Sequence, residues 1–260
     1  DHYKFVEVAD KNINLIVKPT KEKIGEEIAQ RILDKIEEKS DTVLGLATGS
    51  SPLPLYNELI KQSKVREISF KNVRTFNLDE YLGLDEDNNQ SYRYFMNENL
   101  FKHVNIDIQK TFVPNGLAED LEKECSEYDK KIQELGGVDI QLLGVGNNGH
   151  IAFNDPPADF TTDEAYKVVV LDTKCRMQQV GEGWFETIDD VPEKAISMMP
   201  KEIMKAEHIV TVAPHSVKAK AIYDTITHSV SPDVPATLLK THPDWNLFID
   251  DDSAAMLFGK

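Results

Sequence analysis

The stretch Ile140-Gln141-Leu142-Leu143-Gly144-Val145-Gly146-Asn147-Asn148-Gly149-His150-Ile151-Ala152-Phe153-Asn154-Asp155-Pro156, IQLLGVGNNGHIAFNDP, decides the architecture. Its first four residues read as a buried strand, and the strand runs into a turn carrying three glycines, two asparagines and a histidine. Glycine admits backbone conformations that other residues avoid and lets a ligand approach the main chain. A short apolar strand that ends in such a loop is where open α/β sheets keep their chemistry. A tight turn with a solvated polar tip is the plainer reading of this segment alone, and the flanking sequence has to separate the two.

Outward from it, apolar runs alternate with amphipathic stretches. Residues 14–17 read as a strand, 21–39 as a helix and 42–47 as a second strand. In the helix, Ile24, Ile28, Ile32 and Ile36 recur every four residues and make one apolar face. Further strands are expected at 73–78, 167–171, 208–212 and 247–249, and helices at 92–101, 118–135 and 216–227, with a helical turn or two near Lys174. Alternation of this kind predicts a Rossmann-like α/β fold, a mostly parallel central sheet with helices on both faces. The segment 156–192 breaks the pattern with Gly181-Glu182-Gly183 and an exposed-looking Trp184-Phe185, and it reads as a candidate lid, the alternative being an ornate connection. Repeats, low-complexity tracts and Pro/Gly/Ser-rich linkers are absent, so 1–260 reads as a single domain.

Composition narrows the partners. The 45 acidic against 29 basic residues leave a formal charge of −16, which repels a nucleic-acid backbone or an anionic membrane. A small anion is still admissible, because a few local cations and a helix N-terminus can hold a phosphate inside an acidic protein. Cys125 and Cys175 have neither metal-ligand nor redox-motif spacing, which points to a reducing compartment. With no apolar run near the ~18 residues of a membrane span and no signal-like N-terminus, a cytoplasmic protein is expected. No motif speaks to the oligomeric state.

Three strand ends carry candidate chemistry. After the strand at 42–47, Thr48-Gly49-Ser50-Ser51-Pro52 precedes a helix start; small hydroxyl residues and free N–H groups there make an anion cradle, or else a plain N-cap. The loop is neither a Walker loop nor GxGxxG, so no nucleotide is indicated. After the strand at 73–78 come Asp79 and Glu80. A partly desolvated carboxylate at a strand end suits a general base, the alternative being a solvated loop acid. The third is the loop around His150. Parallel strands would bring these ends to one edge of the sheet, where Lys218, and Arg176 from the lid, could add cations.

The motifs LGLATGSSPLPLY, FNLDEYLGL, SYRYFMNENLF and QLLGVGNNGHIAFNDP, in this order and at these separations, resemble the glucosamine-6-phosphate deaminase (isomerase) family over most of the chain. The resemblance implies an enzyme that converts glucosamine 6-phosphate and water to fructose 6-phosphate and ammonia, with no cofactor and no metal. It assigns Asp79 as the base that moves a proton from C2 to C1 and His150 as the acid/base that opens the ring. Asn148 and Asp155 would orient His150, and Thr48, Gly49, Ser50, Ser51, Arg176 and Lys218 would contact the phosphate.

Some positions depart from the family pattern. Asp155 stands where Glu is usual, Asn148 where some members carry an acid, and Ala-Pro-His-Ser leads into Lys218 in place of a glycine-bearing form. Pro157-Ala158-Asp159 replaces the paired serines of allosteric members, so no amino-sugar allosteric site of that kind is expected. The rival readings are a galactosamine-6-phosphate deaminase, a 6-phosphogluconolactonase and a non-catalytic sugar-phosphate sensor. The retention of Asp79 together with His150 speaks against the last.

Overall fold

The structure, a computed structural model, describes residues 2–4, 7–8 and 11–258. In chain order the elements are β1 (His2–Lys4), β2 (Glu7–Val8), β3 (Lys11–Asn12), β4 (Asn14–Lys18), α1 (Lys21–Glu38), β5 (Val43–Leu46), α2 (Leu53–Val65), β6 (Arg74–Asn77), β7 (Asp79–Tyr81), α3 (Tyr92–Asn99), β8 (Thr111–Phe112), α4 (Leu121–Glu134), β9 (Ile140–Leu143), β10 (Tyr166–Val170), α5 (Thr173–Gly181), β11 (Lys194–Met198), α6 (Pro200–Ile203), β12 (His208–Ala213), α7 (Ala219–Thr227) and β13 (Trp245–Asp250). The main sheet has the order β1-β4-β13-β12-β9-β5-β6-β8. From β4 to β8 every neighbouring pair is parallel, and β1 lies antiparallel on β4.

Alternation along the central strands feeds two cores. Val43, Phe76, Leu143, Ile209 and Leu247 face α4 and α7, whereas Leu44, Leu46, Leu142, Val210 and Phe248 face α1, α2 and α3. Helix α1 starts at Thr20, whose hydroxyl accepts the Lys23 N–H at 3.2 Å, and it buries Ile24, Ile28, Ile32 and Ile36 as the four-residue spacing requires. Burying such an isoleucine contributes about 1.5–3 kcal/mol, so this face alone anchors the helix.

A second sheet departs from the expected pattern. Residues 167–171 were expected to alternate with helices as part of the main sheet, but β10 pairs antiparallel with β11, and β11 with β7, in a separate three-stranded sheet. Only Leu78 separates β6 from β7, so the chain passes from one sheet to the other in a single residue. The segment 156–192 thus contains a paired strand and helix α5. Trp184 and Phe185 are not exposed as expected. They are half-buried, Trp184 edge-on to Phe95 with centroids 5.8 Å apart and Phe185 edge-on to Tyr81 at 5.7 Å. Among the described residues no helix is long and apolar enough to cross a membrane.

Candidate active site

Strands β12, β9, β5 and β6 are consecutive in the sheet, so the loops after Ala213, Leu143, Leu46 and Asn77 open on one edge. The connections leave β5 toward β6 and β9 toward β12, which puts a switch point between β5 and β9, the place where open sheets hold ligands. A cleft lies there. It is lined by Thr48, Gly49, Ser50 and Ser51 after β5, Asp79 and Tyr81 of β7, Gly144 to Gly146 and His150 after β9, and Lys218 after β12. Tyr92 and Phe95 of α3 and Gln178, Gln179, Glu182 and Trp184 of and beyond α5 complete its wall.

The glycines of the opening stretch have separate causes. A Cβ on Gly146 would stand 1.9–2.3 Å from His150 ring atoms, so the imidazole packs directly on bare main chain. Gly149 has φ +83°, a conformation that disfavours any side chain. The segment after the histidine is clamped by β11: the Asn154 amide donates to Met198 O at 2.9 Å and the Phe153 N–H to Ser197 Oγ at 3.1 Å.

His150 is 8% exposed. Asn148 Oδ1 lies 2.6 Å from its Nδ1 and also accepts its main-chain N–H at 3.1 Å. An amide oxygen only accepts, so the ring proton sits on Nδ1 and the lone pair on Nε2. Burial and the Lys218 charge lower its pKa to about 4, leaving a neutral base at working pH. Asp155 is also placed differently from the expected orienting partner. Its Oδ1 is 3.8 Å from His150 Nδ1, beyond a hydrogen bond, because Asn148 already holds that nitrogen. The other oxygen, Oδ2, accepts the Asp172 N–H at 3.2 Å and ties the loop to the start of α5. Burial raises the Asp155 pKa to about 6.

Asp79 opens β7 opposite Ser197 and is 7% exposed. Burial first, and the neighbouring Glu80 charge second, raise its pKa to about 8. Glu80 shares the apolar surroundings but not the cleft: it accepts the N–H groups of Tyr81, Tyr92 and Arg93.

At the other end of the cleft the N-terminus of α2 is open. Its cap residue is Pro52, and no side chain caps the first turn, so Ser50 and Ser51 do not serve as the N-cap that the plainer reading allowed. Pro52 and Pro54 carry no N–H and the Leu53 N–H donates to Ser50 O at 3.3 Å, so what this end offers the cleft is the helix dipole, the Thr48–Ser51 loop and the Ser hydroxyls. Lys218 is 6% exposed, with burial lowering its pKa and the Glu182 carboxylate opposing that shift. Its loop turns through His215, which has φ +79° where glycine would be unstrained; Asp250 Oδ2 holds the His215 N–H at 2.9 Å.

Arg176 does not line the cleft. It lies on α5 with its guanidinium turned onto the main chain, donating to Ile188 O at 2.8 Å and Val191 O at 3.1 Å. The same helix offers Gln178 and Gln179 to the cleft, Glu182 follows at its C-cap, and Gln178 Oε1 accepts the Asn147 N–H at 3.0 Å. Sequence reasoning missed these residues and gave Glu80 no role separate from Asp79. The helical spacing of Gln178 and Glu182, four apart, was their available signal. Among the described residues no group of three or more His, Cys, Asp and Glu could hold a metal ion.

The family model described as glucosamine-6-phosphate isomerases/6-phosphogluconolactonase matches residues 18–247. The chain is 44% identical to a glucosamine-6-phosphate deaminase of Clostridium perfringens, over 94% of this chain and 100% of that protein. It is 46% identical to a glucosamine-6-phosphate deaminase of Clostridium beijerinckii, over 93% and 98%. Among solved structures, a monomeric glucosamine-6-phosphate deaminase of the NagB superfamily superposes with TM-score 0.89 at 38% identity, covering 93% of this chain and 99% of that one. A 6-phosphogluconolactonase of Thermotoga maritima, at TM-score 0.74 and 19% identity, covers 92% and 99% and shares the fold. With the open helix N-terminus, the buried carboxylate and the histidine loop on one sheet edge, and with these matches along nearly its whole length, the chain belongs to the glucosamine-6-phosphate isomerase/6-phosphogluconolactonase family.

Proposed function

We propose that this chain is a cofactor-free glucosamine-6-phosphate deaminase, converting glucosamine 6-phosphate and water to fructose 6-phosphate and ammonia. The observation that carries the reading is one cleft holding a buried carboxylate with pKa near 8, a neutral imidazole and an uncapped helix N-terminus with a lysine beside it. The relatives named as deaminases support the same assignment.

The phosphate sits at the N-terminus of α2, held by Thr48 to Ser51 and Lys218. His150 Nε2 takes the proton of the anomeric hydroxyl and returns one to the ring oxygen, opening the pyranose. Asp79 in its ionised form removes the proton from C2 while the substrate's own ammonium group yields a proton to the aldehyde oxygen, giving a neutral enolamine. The same carboxyl then delivers its proton to C1, leaving an iminium at C2. Water adds there, ammonia leaves, and fructose 6-phosphate remains. One carboxylate can serve both carbons because it is fixed at a strand end, and its raised pKa places it where proton transfer in both directions is efficient. We further propose that Asn148 sets the tautomer of His150 and that the 156–192 segment acts as a lid over the sugar, with the reaction run in the cytoplasm. The buried free thiols Cys125 and Cys175 fit a reducing setting.

A lactone hydrolase has no use for a carbon base, so Asp79 favours the deaminase. The deciding experiment assays ammonia and fructose 6-phosphate from glucosamine 6-phosphate and from galactosamine 6-phosphate, with and without chelator. Equal ammonia and ketose from the gluco epimer, unaffected by chelator, is expected. Binding without product would leave the sensor reading, and hydrolysis of 6-phosphogluconolactone without ammonia release the lactonase one.

A further inference from the structure

The second acid of the Asp79-Glu80 pair lies outside the cleft, 3% exposed, and the reaction as described makes no use of it. Its carboxylate is nevertheless fully engaged. Oε1 accepts the Tyr81 and Tyr92 N–H groups, each at 2.9 Å, and Oε2 accepts the Arg93 N–H at 3.0 Å. Tyr92 and Arg93 are the first two residues of α3, and Ser91 Oγ takes the third N–H, that of Tyr94, at 3.1 Å. An ordinary cap comes from the residue just before the helix; here two of the orphan donors are met by a carboxylate twelve residues upstream.

The edge of β7 away from β11 explains the third bond. β7 is the last strand of its sheet, and Met198 N to Leu78 O and Leu82 N to Lys194 O are its bonds toward β11. In that antiparallel register the Tyr81 N–H points the other way, to an edge that pairs with no strand among the described residues and that is met only by the loop at Gly116, whose carbonyl accepts the Gly83 N–H at 3.1 Å. Glu80 stands in for the missing neighbour, joining β7 to the helix whose Tyr92 and Phe95 wall the cleft.

We propose that Glu80 is a positioning residue: by taking three main-chain N–H groups at once it locks β7 to α3 and fixes where the Asp79 carboxylate points. This rests on the reading of Asp79 as the carbon base. The charge of Glu80 has a second effect, since a like charge on the adjacent residue disfavours ionised Asp79. The other groups that feel Asp79 are Tyr81 beside it, Tyr92 from α3, Tyr166 from β10 and Cys175 from α5. Burial raises the pKa of each, and all four stay neutral in the working range. His150 and Lys218 face the same cleft, and Glu80 is not among the charges that shift either.

Two variants separate reach from charge. Glu80→Asp keeps the charge but cannot span to α3. It should lower kcat ~10- to 100-fold with KM nearly unchanged, speed amide exchange at Tyr92 and Arg93, and leave the acid limb of the pH–rate profile in place. Glu80→Gln keeps the length, removes the charge and breaks at least one of the three bonds. It should lower kcat as well and move the acid limb down by about one pH unit. Parent-like kcat in Glu80→Asp overturns the proposal even if Glu80→Gln does not fold, and so does an unmoved acid limb in a folded Glu80→Gln. A parent protein that releases no ammonia, or whose acid limb survives in Asp79→Asn, instead sinks the assignment of Asp79; the amide exchange then still reports whether Glu80 holds α3.

Discussion

Replacing Asp79 by Asn should move turnover and stability in opposite directions. As the proposed carbon base it accounts for ~10²–10⁴-fold of rate, so ammonia release and solvent-deuterium exchange at C1 of fructose 6-phosphate should fall together while sugar-phosphate binding persists. Its folded pKa of about 8 lies above the ordinary 3.8. The protonated form is favoured by the fold, so the contribution to stability is intact below pH 3.8 and is lost as pH rises through about 8. The Asn variant should therefore be more stable than the parent at pH 7 by ~2–4 kcal/mol, with the gap closing toward pH 4. Denaturation curves at several pH values check the sign. The rate itself should climb with pH as Asp79 ionises. His150, with a pKa near 4, should add no limb in the neutral range. Asp155→Asn should leave that profile in place, because Asp155 makes no hydrogen bond to the ring. Asn148→Asp should instead raise the His150 pKa by ~1–3 units and bring its titration into view, since the new carboxylate would sit on the atom that now lies 2.6 Å from Nδ1.

At the scale of elements, the α2 N-terminus and the loop after β12 divide the phosphate between them. Lys218→Met should raise KM ~10-fold or more and weaken competition by inorganic phosphate, with kcat affected less. In the same loop His215→Gly should stabilise the protein by ~1 kcal/mol in thermal denaturation, since it removes a side chain from φ +79°. Closure of the proposed lid should alter Trp184 fluorescence on adding substrate; Trp184→Phe isolates that signal from buried Trp245, and an unchanged spectrum at saturation discards the lid. The elements also differ in how visible they were beforehand. Helix α1 and strands β4, β5, β6, β9, β12 and β13 were legible because each buries a periodic set against a single sheet. Strand β10 was legible as a strand but not as part of a second sheet, and β11 was not legible, because periodicity says nothing about partners and β11 pairs with residues far away in sequence. Arg176 illustrates the same limit for the site. Its residue type suited a phosphate, but the position of one helical residue against its neighbours decides what it meets, and the cleft face of α5 belongs to Gln178 and Gln179.

In the whole molecule, the convergence of strand ends that parallel topology demands was readable from the order of motifs, and the two-sheet junction was not. That junction concentrates acids with raised pKa: Asp79, Glu80 and Asp155. Each favours its protonated form, so as pH rises from about 4 to about 8 the fold should lose stability through these three groups, most steeply around 5 to 6, where the unfolded chain has ionised and the folded groups have not, and the loss levels off as each ionises in the fold. Substrate should offset part of this loss by mass action, which a ligand-dependent melting curve at pH 8 would show.

Ser197 on β11 pairs with Asp79 on one side and takes the Phe153 N–H through its hydroxyl on the other. A single fully buried hydroxyl residue thus adjoins both the base and the histidine loop without lining the cleft. For laboratory evolution this makes position 197 a tuning screw. Libraries confined to residues that would touch the sugar would pass it over, whereas random mutagenesis under selection for a different sugar phosphate should return changes there, shifting two reacting groups by a fraction of an ångström together.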